Sequence, residues 1–183
     1  MLLALVSLTA HAADPFDQPV AVGGYALGWE GSYGGGGVGG VLRLEPFALL
    51  GVDLFAEHLL VETPSGYRHD HPIGFDAYVP IAVSQSVRLR PLLGTCAVGS
   101  FLIATDPEAP GASDVLFGLH AGLGAEVALA DQVSAFAIGK AVGWMGHDRA
   151  IAGWSGTVGN ELVPFAVGQI DLGVSLHFGR SSS

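Results

Sequence analysis

Three arginines, Arg43, Arg88 and Arg90, stand among seven carboxylates, Glu30, Glu45, Asp53, Glu57, Asp76, Glu126 and Asp171, in a chain otherwise poor in charge: 13% of residues are charged and 50% are hydrophobic. Acids and bases gathered out of water can carry protons or ions, gate a passage, or neutralise one another, because either charge alone would be costly there. His69-Asp70-His71 and His147-Asp148 offer metal-ligand types, but zinc needs ligands that converge with fixed geometry. Both groups fall in Gly-, Pro- and Asp-rich stretches that read as solvated loops, so neither a metal site nor a cofactor is expected. Ser134 and His58 are nucleophile and base types, yet they lie at opposite ends of their segments. With no GxSxG, phosphate loop or CxxC in the sequence, no catalytic residue is expected. Cys96 is the only cysteine, which excludes an intrachain disulfide and suits a small apolar filler.

An alternation of period two positions the charges. In Gln169-Ile170-Asp171-Leu172-Gly173-Val174-Ser175-Leu176-His177-Phe178, the even residues are apolar and the odd ones small or polar, the beat of a strand with two unlike faces. Seven upstream segments share it. Polar rows carrying Arg43 and Glu45; Asp53 and Glu57; Asp76 and Tyr78; Arg88, Arg90 and Cys96; and His120 and Glu126 oppose rows of Leu, Val, Ile and Phe. In two further segments the large residues are Tyr25, Leu27, Trp29 and Tyr33 against Gly24, Ala26, Gly28, Glu30 and Ser32, and Phe136, Ile138, Val142 and Trp144 against Ala135, Ala137, Gly139, Ala141 and Gly143. Read by size, both large rows face apolar surroundings. Lys140 then sits on an apolar row, where it must be turned by a bulge at Gly139, snorkel, or meet a partner subunit. The same reading places Trp29, Tyr33 and Trp144 in an outer aromatic girdle and Phe178 in an inner one.

The 183 residues suit a single domain. Mean hydropathy is +0.49, but past the N-terminus no uncharged apolar run approaches the ~18 residues of a spanning helix. Hydrophobicity dispersed among 28 glycines favours a barrel, the other structure that closes its backbone hydrogen bonds in lipid. The expected class is all-β, an eight-stranded antiparallel up-and-down transmembrane barrel over residues 21–178. A signal peptide is expected over 1–12, with its apolar core at Leu2 to Leu8 and a small-x-small site at Ala10-His11-Ala12. Residues 13–20 form an N-terminal segment and 179–183 a short tail. Tight turns at Pro46-Phe47-Ala48, Ser84-Gln85-Ser86 and Asp131-Gln132 alternate with longer connections at 63–70, 105–113 and 146–162. A lipocalin-like barrel would put its polar rows outside, and rows with so few charges suit a narrow interior better. The net charge of −10 argues against nucleic acid.

On these strands, and on a terminal strand that alternates to a final aromatic, the chain resembles the small eight-stranded outer-membrane barrels of Gram-negative bacteria, of the OmpA-transmembrane, OmpX and OmpW kind. The resemblance implies a bacterial outer-membrane location, contact with outer-membrane lipid and lipopolysaccharide, and delivery to the insertion machinery through the C-terminal strand. An eight-stranded interior is just wide enough for side chains to fill it, so Arg43, Asp53, Arg88, Arg90, Glu126 and Asp171 are expected to form a lumen charge network. Arg90 should lie near Glu126, with Arg43 within reach of Asp53. The expected role is structural or surface-interacting, with a narrow pore or carrier for small solutes as the alternative and an outer-leaflet lipid-modifying enzyme behind both. The oligomeric state is left open.

Overall fold

The structure, a computed structural model, describes residues 15–31, 34–63, 66–104, 112–146 and 165–179. A 3-10 turn at Pro15–Asp17 precedes nine strand segments: β1 (Val20–Glu30), β2 (Gly35–Phe47), β3 (Leu50–Thr63), β4 (Gly66–Tyr78), β5 (Ile81–Ser84), β6 (Val87–Ala104), β7 (Ala112–Ala130), β8 (Val133–Gly146) and β9 (Phe165–Phe178). Every pairing among the described residues is antiparallel, and apart from β4 and β5, which both pair with β6, each strand pairs with its chain neighbours. The ring closes where β1 pairs with β9 from Val20↔Phe178 to Glu30↔Gly168. β4 and β5 are two lengths of one stave against β6, with Tyr78 opposite Leu92 and Ile81 opposite Leu89. Pro80, which has no N–H to give the ladder, sits in the break. The result is a closed eight-stranded antiparallel barrel.

One end carries the tight turns Ala48-Leu49, Gln85-Ser86 and Asp131-Gln132, and each adjoins a register shift, at Leu44/Phe47, Ala82/Ser84 and Ala128/Ala130. Such bulges sharpen the local twist where a stave must reverse. At the other end the connection after β3 is shorter than its composition suggests. β4 begins at Gly66, whose φ of 146° is open only to glycine, and Thr63 already pairs with it. Polar residues 66–71 read as a loop by content, but they continue the parity of the apolar strand below, with Arg68 and Asp70 inside and Tyr67 and His71 outside.

Six staves carry the faces their alternation implies. Arg43, Asp53, Asp76, Arg88, Glu126 and Asp171 are buried in the lumen, while Ile73, Leu93, Phe117, Leu123, Ile170 and Leu172 lie on the outer wall with 55–66% of their surface exposed. A lipocalin-like barrel has the opposite arrangement. β1 and β8 are reversed relative to the reading by size: Tyr25, Leu27, Trp29, Phe136, Ile138, Val142 and Trp144 point inward at 3–8% exposure, and Gly24, Ala26, Gly28, Ala137, Gly139 and Ala141 point out. Register requires it. Residues directly opposite share a face, and the inward Asp171 and Gly173 of β9 stand opposite Leu27 and Tyr25 on one side and Ile138 and Phe136 on the other. Gly173 leaves the room in which the Tyr25 and Phe136 rings meet edge-on, 6.0 Å apart. Glu30, expected inside, therefore lies outside. Lys140 needs no bulge at Gly139, since its whole row faces the lumen.

Candidate functional site in the lumen

The lumen is filled in three layers. Nearest the tight turns, Arg43 on β2 makes a bidentate pair with Asp53 directly opposite on β3, Nε donating to Oδ1 at 2.9 Å and Nη2 to Oδ2 at 3.0 Å. Its Nη1 reaches across the bore to Glu126 Oε1 at 2.6 Å. Arg88, opposite Glu126 in register, donates to Glu126 at 3.0 Å and to Glu45 at 2.8 Å. Arg90 joins Asp53 at 3.1 Å and stands 3.6 Å from Glu126. Three guanidiniums thus face three carboxylates, with Asp53 shared by two of them and Glu126 by all three, so that each buried charge is paired. Tyr78 donates to Glu45. At the mouth of this end the ring of Phe16 lies 4.3 Å from the Arg88 guanidinium and edge-on to His177 at 6.2 Å.

The middle layer centres on Lys140, with Nζ 3.0 Å from Asp171 and 3.4 Å from Asp76. Asp76 also contacts His120. Gln169 donates to Asp171 at 2.8 Å and to Glu57 at 3.1 Å, and Tyr25 donates to Glu57 at 2.8 Å. In the layer beyond it, Arg68 grips Asp70, with Nη2 at 2.7 Å, and Ser100 donates to the same carboxylate at 2.6 Å. Trp29 lies under the Arg68 guanidinium at 5.6 Å and meets Trp144 at 6.0 Å. Leu59, Val61, Val98 and Leu116, each at most 1% exposed, pack around them. Two spaces of about 10 Å³ remain beside Lys140, at the lower limit for one water.

Of the six residues expected in a charge network, Arg43, Asp53, Arg88, Arg90 and Glu126 meet in one layer, whereas Asp171 belongs to the next, with Lys140. Lys140, Arg68, Asp70 and the Ser134–His177 contact were missed. Lys140 carried its own signal: a lysine sharing parity with Ser134 and Phe136 marks a row that faces inward. Trp29 and Trp144 are not girdle residues, being 5% and 3% exposed inside the lumen, while Phe178 is 47% exposed on the outer wall. Tyr33, His147, Asp148, the expected signal peptide and residues 180–183 lie outside the described residues. His69 and His71 are in β4 rather than a loop, and Asp70 between them points the other way, into the lumen.

One cluster has the residue types of a hydrolase. Ser134 Oγ stands 2.8 Å from His177 Nε2 and donates to Glu126, which itself lies 3.4 Å from the same Nε2. A catalytic triad needs the carboxylate on the imidazole's far nitrogen, where it orients the ring and leaves the serine free to attack. Here serine and carboxylate share one nitrogen, the hydroxyl hydrogen is given to Glu126, and all three side chains are at most 1% exposed. The cluster completes the ionic layer and offers a substrate no approach.

No known family's sequence pattern matches the chain, and no curated relative does. Solved structures are similar to it. A neisserial surface protein A shares 13% identity at a TM-score of 0.59, covering 87% of this chain and 96% of that one. A major outer membrane protein of Thermus thermophilus shares 18% at 0.58, covering 86% and 99%. Ail, the attachment invasion locus protein of Yersinia pestis, shares 15% at 0.54, covering 87% and 97%. At these identities the likeness is one of fold.

Proposed function

We propose that the chain is an integral outer-membrane β-barrel with a structural or surface-interaction role and a sealed lumen. The observation that carries this is the pairing of an outer wall of exposed Leu, Ile, Val and Phe with a bore closed by buried ion pairs, some between directly opposed residues and some across the lumen. Water would not tolerate such a wall around a whole monomer, and lipid would not tolerate the charges on it. The names of the similar structures, among them a surface protein and an attachment protein, fit the same reading. Outer-membrane lipid and lipopolysaccharide would be its surroundings, and the β9 strand ending at Phe178 its delivery signal.

The second reading, a narrow pore or carrier, draws on the two water-sized spaces beside Lys140. Reconstitution in planar bilayers separates the two. A sealed lumen gives no steady conductance, and steady ion current at constant voltage would favour the pore. The reading includes no enzymatic activity, and unchanged lipid A masses in cells with and without the protein are expected.

A further inference from the structure

Outside the lumen, strand pairing gathers three histidines that the sequence scatters. Leu59 stands opposite Asp70 and Ala56 opposite Ile73, which puts His58 across from His71 on the outer face. His69, two residues from His71, shares that face. The His58 and His71 rings lie 4.7 Å apart between centroids with their Nδ1 atoms at 3.3 Å, and His69 is 5.6 Å from His58. Phe101 on β6 packs edge-on against His71 at 5.9 Å and limits its swing.

Their level on the wall is set by the outward pairs around them. Glu62 opposite Tyr67 comes first, then Leu60 opposite His69, then the His58 and His71 pair, then Ala56 opposite Ile73. Charge gives way to an apolar wall across this short run, so the imidazoles occupy the band where water and headgroup oxygens are still at hand.

We propose that His58 and His71 form a seat for a zinc or copper ion on the outer face, with His69 the nearest third ligand and water in the remaining positions. Imidazole suits both metals. Two nitrogens bound to tetrahedral zinc at about 2.0–2.1 Å lie about 3.3–3.4 Å apart, and the two Nδ1 atoms already have that separation. Without metal, one Nδ1 carries the hydrogen that bridges the gap. Binding moves that hydrogen to the same ring's Nε2, so both lone pairs face the ion and no proton need be released. Among the described residues no group of three or more His, Cys, Asp or Glu side chains is placed to hold a metal ion, so as it stands the seat offers two nitrogens, and a third from His69 requires that ring to move.

The test titrates full-length protein, folded in detergent micelles, with Cu²⁺ under electron paramagnetic resonance and with Zn²⁺ by equilibrium dialysis. One copper per chain is expected, its hyperfine pattern showing at least two imidazole nitrogens. Losing even an outer-shell partner typically costs a metal site about 10–100-fold in affinity, so His58→Ala and His71→Ala should each weaken binding by at least that much. His69→Ala should weaken it less. Heat-modifiable mobility checks that each variant folds, and His58→Gln and His71→Gln serve if the alanine forms do not. Absence of binding, fewer than two imidazole nitrogens in the unaltered protein, or an undiminished site in the His58, His71 double variant would overturn the proposal.

Discussion

The staves β2 to β7, together with β9, turn charge inward and bulk outward, whereas β1 and β8 turn bulk inward and glycine and alanine outward. The two sectors are adjacent, joined through β9, and they fill one bore. Where arginines cross the lumen, the opposing groups are carboxylates. Where β9 presents Gly173 and Asp171, its neighbours supply Tyr25, Phe136 and Ile138. A narrow barrel must be filled, and either ion pairs or rings can fill it provided the staves compensate one another in size.

The charged sector should break most severely. Glu126→Ala leaves Arg43, Arg88 and Arg90 without their shared carboxylate, and losing one partner of a buried pair costs about 3–5 kcal/mol. With three cations affected, the upper end is expected in urea unfolding from lipid vesicles. Phe136→Ala tests the apolar sector and should cost about 3–5 kcal/mol, toward the lower end as neighbours lean in. If the ring faced acyl chains instead, lipid would fill the gap and only the transfer term, about 1.5–3 kcal/mol, would be lost. Two glycines sharpen the contrast with smaller effects. A Cβ at Gly173 would lie 2.5 Å from the Gly24 carbonyl oxygen and 2.6 Å from the Phe136 ring, whereas one at Gly139 meets nothing within 4 Å. Gly173→Ala should lose about 1–3 kcal/mol to overpacking, and Gly139→Ala should stay within about 0.5 kcal/mol.

The alternation around Asp171 and around Arg43 and Asp53 was legible because one row was charged and the other large and apolar, so both criteria agreed. In β1 and β8 the criteria separated. Gly24, Ala26, Ala137 and Gly139 are small but not polar, so size alone could not tell a lipid-facing row from a lumen-facing one. Lys140 resolves β8 by the cost of its charge, while β1 is resolved only by its pairing with β9, a relation between opposite ends of the chain, as Tyr25↔Gly173 shows. The His58 and His71 contact was hidden for a similar reason, since residues 66–71 have the composition of a loop and the parity of a strand.

Native tryptophans offer the most direct test that the rings of β1 and β8 fill the bore. The chain has three tryptophans, and replacing Trp154 with Phe leaves Trp29 and Trp144. Reconstituted in bilayers whose acyl chains carry bromine, a short-range quencher, this variant should keep nearly all its fluorescence, while a version with Leu172→Trp on the outer wall as its sole tryptophan, Trp29 and Trp144 also replaced by Phe, should be strongly quenched. Strong quenching of Trp29 and Trp144 themselves would put those rows against lipid and contradict the account.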